Sequence, residues 1–393
     1  MTGLSKIGHT DSFLTMLIEI RQSIIKEAIK HKGQRQNVSL DLLFQMAICA
    51  KKGFHVVWVP CLEADKPLRK ELSELITEAN VNALCSAGAM HNQEVGWLKN
   101  NVTVKVILSY KKEVVENNSI IVNPFLESHL QPYTELFLLV ENILDADFYD
   151  VVLKVYRKEN NLNSCECVYY PLMGGGGTTA KVMENEVKLR KHFCLAIVDS
   201  DKHCPKGSKG QTCKDVQKSL VGAPRFCNAY EMNEVTEIEN LIPQRVVREL
   251  YPLQSGEIDV FSKDVSFYDM KCGLRLSMLV DNKDYDYWKG LFPERQTYFN
   301  QRAALKKANK KKEAFETAIK QNDCQILPGF SANLLKRVLD AEPESMMNIQ
   351  QENIKAKVLL MKTDYSHLSL AQRKEWENIG RELFSWSCGM KAN

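Results

Sequence analysis

The sequence predicts an α/β protein: a parallel sheet in the middle of the chain, a separate α/β domain before it (1–130) and a mainly helical region after it (246–393). Three observations predict this. Short apolar runs alternate with helix-period segments between Leu136 and Val198, the pattern of strands joined by right-handed crossovers. A similar but looser alternation precedes them, and beyond Pro243 helical periods dominate. At 393 residues the chain is long enough for two or three domains, and its 44% hydrophobic and 26% charged composition is that of an ordinary globular protein.

In the first segment, Phe13, Met16, Leu17, Ile20, Ile24, Ile25 and Ile29 recur at helical spacing, predicting an amphipathic helix over Asp11 to Lys30. Ser39 and Asp41 mark a second helix start. His55 to Pro60 reads as a buried strand, and Asp65 caps a helix from Pro67 to Ala79. Val81 to Ala87 and Val102 to Tyr110 read as further strands. No chemical motif stands out here. Sensing, dimer contacts and docking of a partner protein all stay open as tasks for this segment.

In the middle segment, Leu136 to Val140 is a strand and Asp145 to Lys158 a helix. Cys167 to Leu172 is a strand, a glycine run follows, then a helix from Thr178 to His192 and a strand from Cys194 to Val198. In parallel sheets ligands sit at the carboxyl ends of the strands, and the acidic residues fall there. Glu141 ends the first strand, with Asp145 one helical turn on. Asp199 and Asp201 end the last strand, and in extended chain their side chains point the same way. Glu237 and Glu239 follow. Carboxylates at such close quarters repel, so a cation is expected among them, and Mg²⁺ (with Mn²⁺ as a substitute) suits hard oxygen ligands.

The glycines at 174–177 lead into Thr178, so Gly175, Gly176 and Thr178 are either a phosphate-cradling loop or a tight turn. Lys306, Lys307, Lys310, Lys311 and Lys312 make one strongly basic helix over Gln301 to Lys320. It either tracks a phosphate backbone, with Tyr298 and Phe299 stacking on bases, or is a solvated face. Cys165, Cys167, His203, Cys204 and Cys213 lack paired CxxC spacing, so loop thiols are expected rather than zinc ligands. The net charge of +3 permits nucleic acid as a partner only through a local basic surface. Met1 to Thr15 lacks the plan of a secretory leader, and no apolar run reaches the ~20 residues that span a bilayer. A cytoplasmic protein with reduced thiols is expected.

Taken together, LLVENILDADFY, IVDSD, EIENLIP and YDMKCGL resemble the TOPRIM fold, a Rossmann-like parallel sheet, over about Tyr133 to Gly273. The likeness is to its branch in the overcoming-lysogenization-defect (OLD) nucleases and related stand-alone anti-phage effectors. The resemblance implies a catalytic domain at 131–245 that hydrolyses phosphodiester bonds in DNA or in structured RNA such as tRNA. Glu141, Asp145, Asp199 and Asp201 would be metal ligands, assisted by Glu237 or Glu239, with Glu141 also the general base and Lys271 stabilising charge on the phosphate. It further implies a toxic effector held in check by an inhibitor or a regulatory ATPase, since the chain has no Walker-type GxxxxGK[ST]. Asn142 stands where the family usually has glycine. A strand-end DxD also fits a nucleotide-sugar transferase, but that reading gives Glu141, Asp145 and Lys271 no task. A TOPRIM scaffold that binds nucleic acid or a partner without cutting is the remaining alternative.

Overall fold

The computed structural model describes residues 17–52, 55–90, 96, 98, 102, 105–110, 119–123, 136–163, 165–339 and 351–390. The start of the chain, including the Met1 to Thr15 segment and Met16, and the boundary at 130–135 lie outside the described residues.

The first unit is a four-stranded parallel sheet of β1 (Leu17–Ile20), β2 (Val56–Trp58), β3 (Lys105–Leu108) and β4 (Ser119–Val122), in the order β2-β1-β3-β4. The helix expected over Asp11 to Lys30 is instead β1 followed by a helix at Gln22–Lys30. The run Leu17–Ile20 is buried on both faces between two partner strands, and that pairing overrides the helical spacing. Its Glu19 is tolerated inside because Arg21 and Lys105 pair with it at 2.7 and 3.0 Å. The strand expected at Val81 to Ala87 is a helix, Glu78–Met90. Val81, Leu84 and Cys85 fill one helical face, and the alanine-rich segment favours the helix. Asp65 caps the helix Lys66–Ile76 as expected, accepting from Leu68 N at 2.9 Å. The helix Val38–Lys52 starts one residue before Ser39, and Asn37 caps it through the Leu40 amide.

The central unit holds β5 (Leu136–Val140), a helix at Ile143–Glu159, β6 (Cys165–Cys167), β7 (Tyr170–Met173), β8 (Phe193–Val198) and β9 (Cys227–Glu231). The single strand expected over Cys167 to Leu172 is therefore two. Pro171 sits in β7, an edge strand where its missing N–H costs no ladder bond. The main sheet is parallel in the order β7-β5-β8-β9, so its connections switch direction between β5 and β8. Every residue of β8 is buried, as befits a central strand covered on both faces.

The C-terminal region is mainly helical, with a small antiparallel pair of β10 (Gly273–Arg275) and β11 (Gln325–Pro328). The basic segment is two helices, Gln296–Ala308 and Lys312–Gln321, broken at 309–311 where Lys311 is extended. The last helix, Leu370–Ser387, returns to pack along Ile143–Glu159, and β12 (Cys388–Met390) pairs with β6. Phe148 meets Trp376 edge-on at 5.7 Å, and Gly380 lies so close to Tyr156 that a Cβ there would fall 2.4 Å from it. These last two elements are thus built into the central unit. Among the described residues, no helix is long and apolar enough to cross a membrane.

Candidate metal centre

β5 and β8 are hydrogen-bonded neighbours, so Glu141 and Asp199 leave the sheet side by side at its switch point. A 3-10 turn at Ile238–Leu241 brings Glu237 and Glu239 to the same edge, both 5% exposed. Asp199, Glu237 and Glu239 each present an oxygen within 4.8 Å of the others; among the described residues, no other group of three or more acids, histidines or cysteines converges in this way. Lys271 Nζ stands 2.9 Å from Glu237 Oε2 and 3.2 Å from Glu239 Oε2.

The turn is held from several directions. Asp199 Oδ1 accepts from the Ile238 amide at 3.0 Å, and Glu237 Oε1 accepts from the Met270 amide at 3.0 Å. Asn240 accepts from the Glu237 amide and donates to the carbonyls of Val265 and Tyr268, which ties the turn to the segment carrying Lys271. From the last helix, Gln372 donates to the carbonyls of Asn240 and Ile242, and Trp376 Nε1 to that of Leu241. Glu375, fully buried, accepts from the amides of Asn233 and Glu234 at 2.9 and 2.7 Å and from the Tyr230 hydroxyl. Sequence reading missed these positioning groups. Asn240 lies within EIENLIP and was within reach of it. Gln372, Glu375 and Trp376 stand some 130 residues away and carry no local signal.

The electrostatics are those of acids crowded out of water. Burial, then the neighbouring Glu141 and Glu239, hold the Asp199 carboxyl well above its usual range. Burial and the charge of Glu239 push Glu237 up to about 8, with Lys271 opposing. Burial, then Asp201, raises Glu141, whose Oε1 is buried with no hydrogen-bond partner. Lys271, despite its own desolvation, is raised by Glu237 and Glu239 and stays cationic.

The other expected site residues are placed as follows. Asp145 Oδ2 accepts from the Asn142 amide at 2.8 Å in a capping box with Asn142, so its direct task is helix initiation. Burial lifts its pKa to about 7, with Glu239 and Glu141 adding to the shift. Asp201 departs from the extended geometry expected of Asp-Ser-Asp. Its φ is +52°, because the amides of Ser200 and Asp201 both turn to donate to Thr236 O. It therefore stands outside the tight triad but within the field of Lys271 and Glu141. The weight of the cluster thus falls on Asp199, Glu237 and Glu239 rather than on the two strand-end pairs alone.

The glycine loop is tied to the same edge, for Gly174 and Gly175 donate to the carbonyls of Val140 and Glu141 at 2.7 and 3.0 Å. Gly175 and Gly176 have φ of +74° and +59°, and Gly176 faces Glu141 closely enough that a Cβ would lie 4.0 Å from its carboxylate. Thr178 donates its hydroxyl back to Gly174 O, closing the loop on itself. Lys306, Lys307 and Lys310 are exposed and outside the cluster; Lys306 donates to Asn282 at 2.5 Å. Phe299 is fully buried against Tyr285, which removes it as a base-stacking group. Cys204 and Cys213 are buried beside Asp284 and Glu231 and, among the described residues, belong to no metal-holding group; Cys165 and Cys167 lie in β6 and Cys213 in the helix Gln211–Ser219, so these three are not the loop thiols expected.

Hard carboxylate oxygens, an orphaned Glu141 oxygen and an adjacent ammonium suit a divalent cation and a phosphate together. Comparison with family models, curated proteins and solved structures finds no match for the chain.

Proposed function

We propose that this protein is a Mg²⁺-dependent endonuclease that hydrolyses phosphodiester bonds in DNA or structured RNA such as tRNA, and that it serves as the toxic effector of an anti-phage defence system. The observation that carries the reading is the convergence of Asp199, Glu237 and Glu239 beside Lys271 at a sheet switch point, a concentration of negative charge that the single Lys271 ammonium does not balance. The TOPRIM resemblance of the same residues supplies the reaction class and the defence setting, with an ATPase or inhibitor protein as the controlling partner.

Asp199, Glu237 and Glu239 would hold Mg²⁺ or Mn²⁺, which supplies Lewis acidity toward the phosphate and a more acidic water. Glu141, raised and unpartnered, is placed to take a proton from the attacking water. With a cation held there, Lys271 would be relieved of Glu237 and Glu239 and would be free to stabilise negative charge on the phosphate oxygens. The backbone of Gly175 and Gly176 beside Glu141 lets a phosphate approach without meeting a side chain.

The Lys271 ion pairs also favour a second reading, a scaffold that binds nucleic acid or a partner without cutting, since the ammonium already neutralises part of the cluster. Cleavage assays on plasmid, single-stranded DNA and total tRNA, each in Mg²⁺, Mn²⁺ or EDTA, separate the two. Metal-dependent cutting abolished in Asp199→Ala establishes the nuclease and identifies its substrate. Retention of these nucleic acids without cutting in any metal establishes the scaffold.

A further inference from the structure

Beyond the helix Gln244–Leu250 the chain folds around a cavity of about 480 Å³, within the ~300–1,000 Å³ of small-molecule sites. One wall is aromatic. Phe261 and Phe330 stack with ring centroids 5.3 Å apart, and Tyr251 meets Phe330 edge-on at 5.4 Å. Arg248 pins this wall, lying 5.4 Å over the Phe261 ring and donating to both Asp259 oxygens at 2.9 and 2.8 Å. The other charged residues of the lining are Arg295 and Glu257, one of each sign, so the lining carries no net charge. Two donors are left over. The Tyr251 hydroxyl and Arg295 Nε are buried with no hydrogen-bond partner, and Arg295 has no ion pair among the described residues. Buried donors left unmade are costly, and an acceptor brought in by a ligand removes that cost.

We propose that this cavity binds a guanine base. A neutral lining calls for an uncharged group, and the aromatic wall for a flat one. Guanine O6 and N7 both accept, which suits Arg295 and the Tyr251 hydroxyl, and arginine is the commonest reader of that edge. Adenine shows one acceptor and one donor there, so it leaves one of the two buried donors unpaired. On guanine's opposite edge the ring N–H and the amino group donate. Glu257, exposed on the rim, uses only Oε2, which accepts from the Gln254 amide at 3.0 Å, so its other oxygen is open to them. The cavity also adjoins the segment that carries Lys271. Phe330 donates its amide to Met270 O at 2.8 Å, and the Tyr268 hydroxyl donates to Pro328 O. Gly329 packs so closely that a Cβ there would lie 2.3 Å from Lys271 O. A base held here rests against the backbone that abuts Lys271, whether it comes from a free nucleotide or from a strand.

The test is equilibrium binding to the full chain in EDTA, in two arms. The first titrates GMP, AMP, CMP and UMP by calorimetry. The second titrates short single-stranded RNAs that differ only in one guanine or adenine. Guanine should be preferred over adenine about tenfold. Preference in the first arm shows that a free nucleotide suffices; preference in the second alone shows that a strand presents the base. Tyr251→Phe and Arg295→Met should each lose most of the preference. Tyr251→Phe removes only a hydroxyl that has no partner, so its thermal midpoint without ligand should not fall. Lack of guanine preference in both arms overturns the proposal. So does a preference that survives Tyr251→Phe and Arg295→Met, or one lost in a folded Asp199→Asn, which would put the base at the acidic cluster instead.

Discussion

Replacing Lys271 with methionine removes the one cation that, among the described residues, touches the acidic triad, and keeps most of the side-chain volume. The ammonium lies 2.9 and 3.2 Å from Glu237 and Glu239, whose side chains are 6% and 7% exposed. Breaking a fully buried ion pair costs ~3–5 kcal/mol. Lys271 itself is one-third exposed (33%), so solvent screens part of that and about 2 kcal/mol is the expected loss at alkaline pH. The loss depends on pH with a definite sign. Glu237 is raised from 4.5 to about 8 in the folded protein, so folding takes up a proton between those values. Such a group's contribution is fully present below pH 4.5 and is lost as the pH climbs through about 8. Without the ammonium the folded pKa rises further and the alkaline penalty deepens. Urea unfolding in EDTA should therefore give Lys271→Met a deficit of less than ~1 kcal/mol at pH 5 and about 2 kcal/mol at pH 9. Millimolar Mg²⁺ should restore the variant more than the native protein, because the ion replaces the missing charge. An equal deficit at both pH values, or indifference to Mg²⁺, would refute this electrostatic reasoning.

The remaining predictions concern neighbouring groups. Asp145→Asn keeps an oxygen to accept from the Asn142 amide and relieves a buried acid whose pKa is about 7, so thermal melting above pH 7 should show unchanged or higher stability. If Asp145 is also a ligand, the same variant will need a higher Mg²⁺ concentration for cleavage. Gly210→Ala would set a Cβ 2.0 Å from Asp201 Oδ2 and 2.5 Å from its Cβ. A stability loss of about 1–3 kcal/mol by denaturant titration and at least tenfold slower cleavage are expected as Asp201 is displaced. Glu375→Gln keeps one oxygen for the amides of Asn233 and Glu234 but replaces the charged acceptor of the Tyr230 hydroxyl with an N–H₂. It should cost about 2–3 kcal/mol in denaturant titration and weaken metal binding through the turn at Glu237.

Much of the site was legible because its chemistry is written beside strand ends. The apolar runs Leu136–Val140 and Phe193–Val198 announce central parallel strands, and the acids after them had to emerge at the carboxyl edge. What escaped was set by contacts distant in sequence. Leu17–Ile20 has helical spacing but is captured by β2 and β3. β9, Cys227–Glu231, went unread because its alternation of apolar and polar residues is too short to separate from loop. The left-handed turn at Asp201 depends on Thr236 O, and the dominance of Glu237 and Glu239 over Asp145 depends on a 3-10 turn clamped by Gln372 and Trp376. Phe299 offers a stacking group on paper because it precedes a lysine run, one of two open readings of that segment, yet the same helix turns it into the core.

The measurement that bears most directly on the central claim is a Mn²⁺ titration followed by electron paramagnetic resonance, on the native protein and on Asp199→Asn. The account predicts saturable binding competed by Mg²⁺ in the native protein, and loss of that site in a variant that remains folded by circular dichroism. Equal Mn²⁺ binding by both proteins, or none by either, would contradict it.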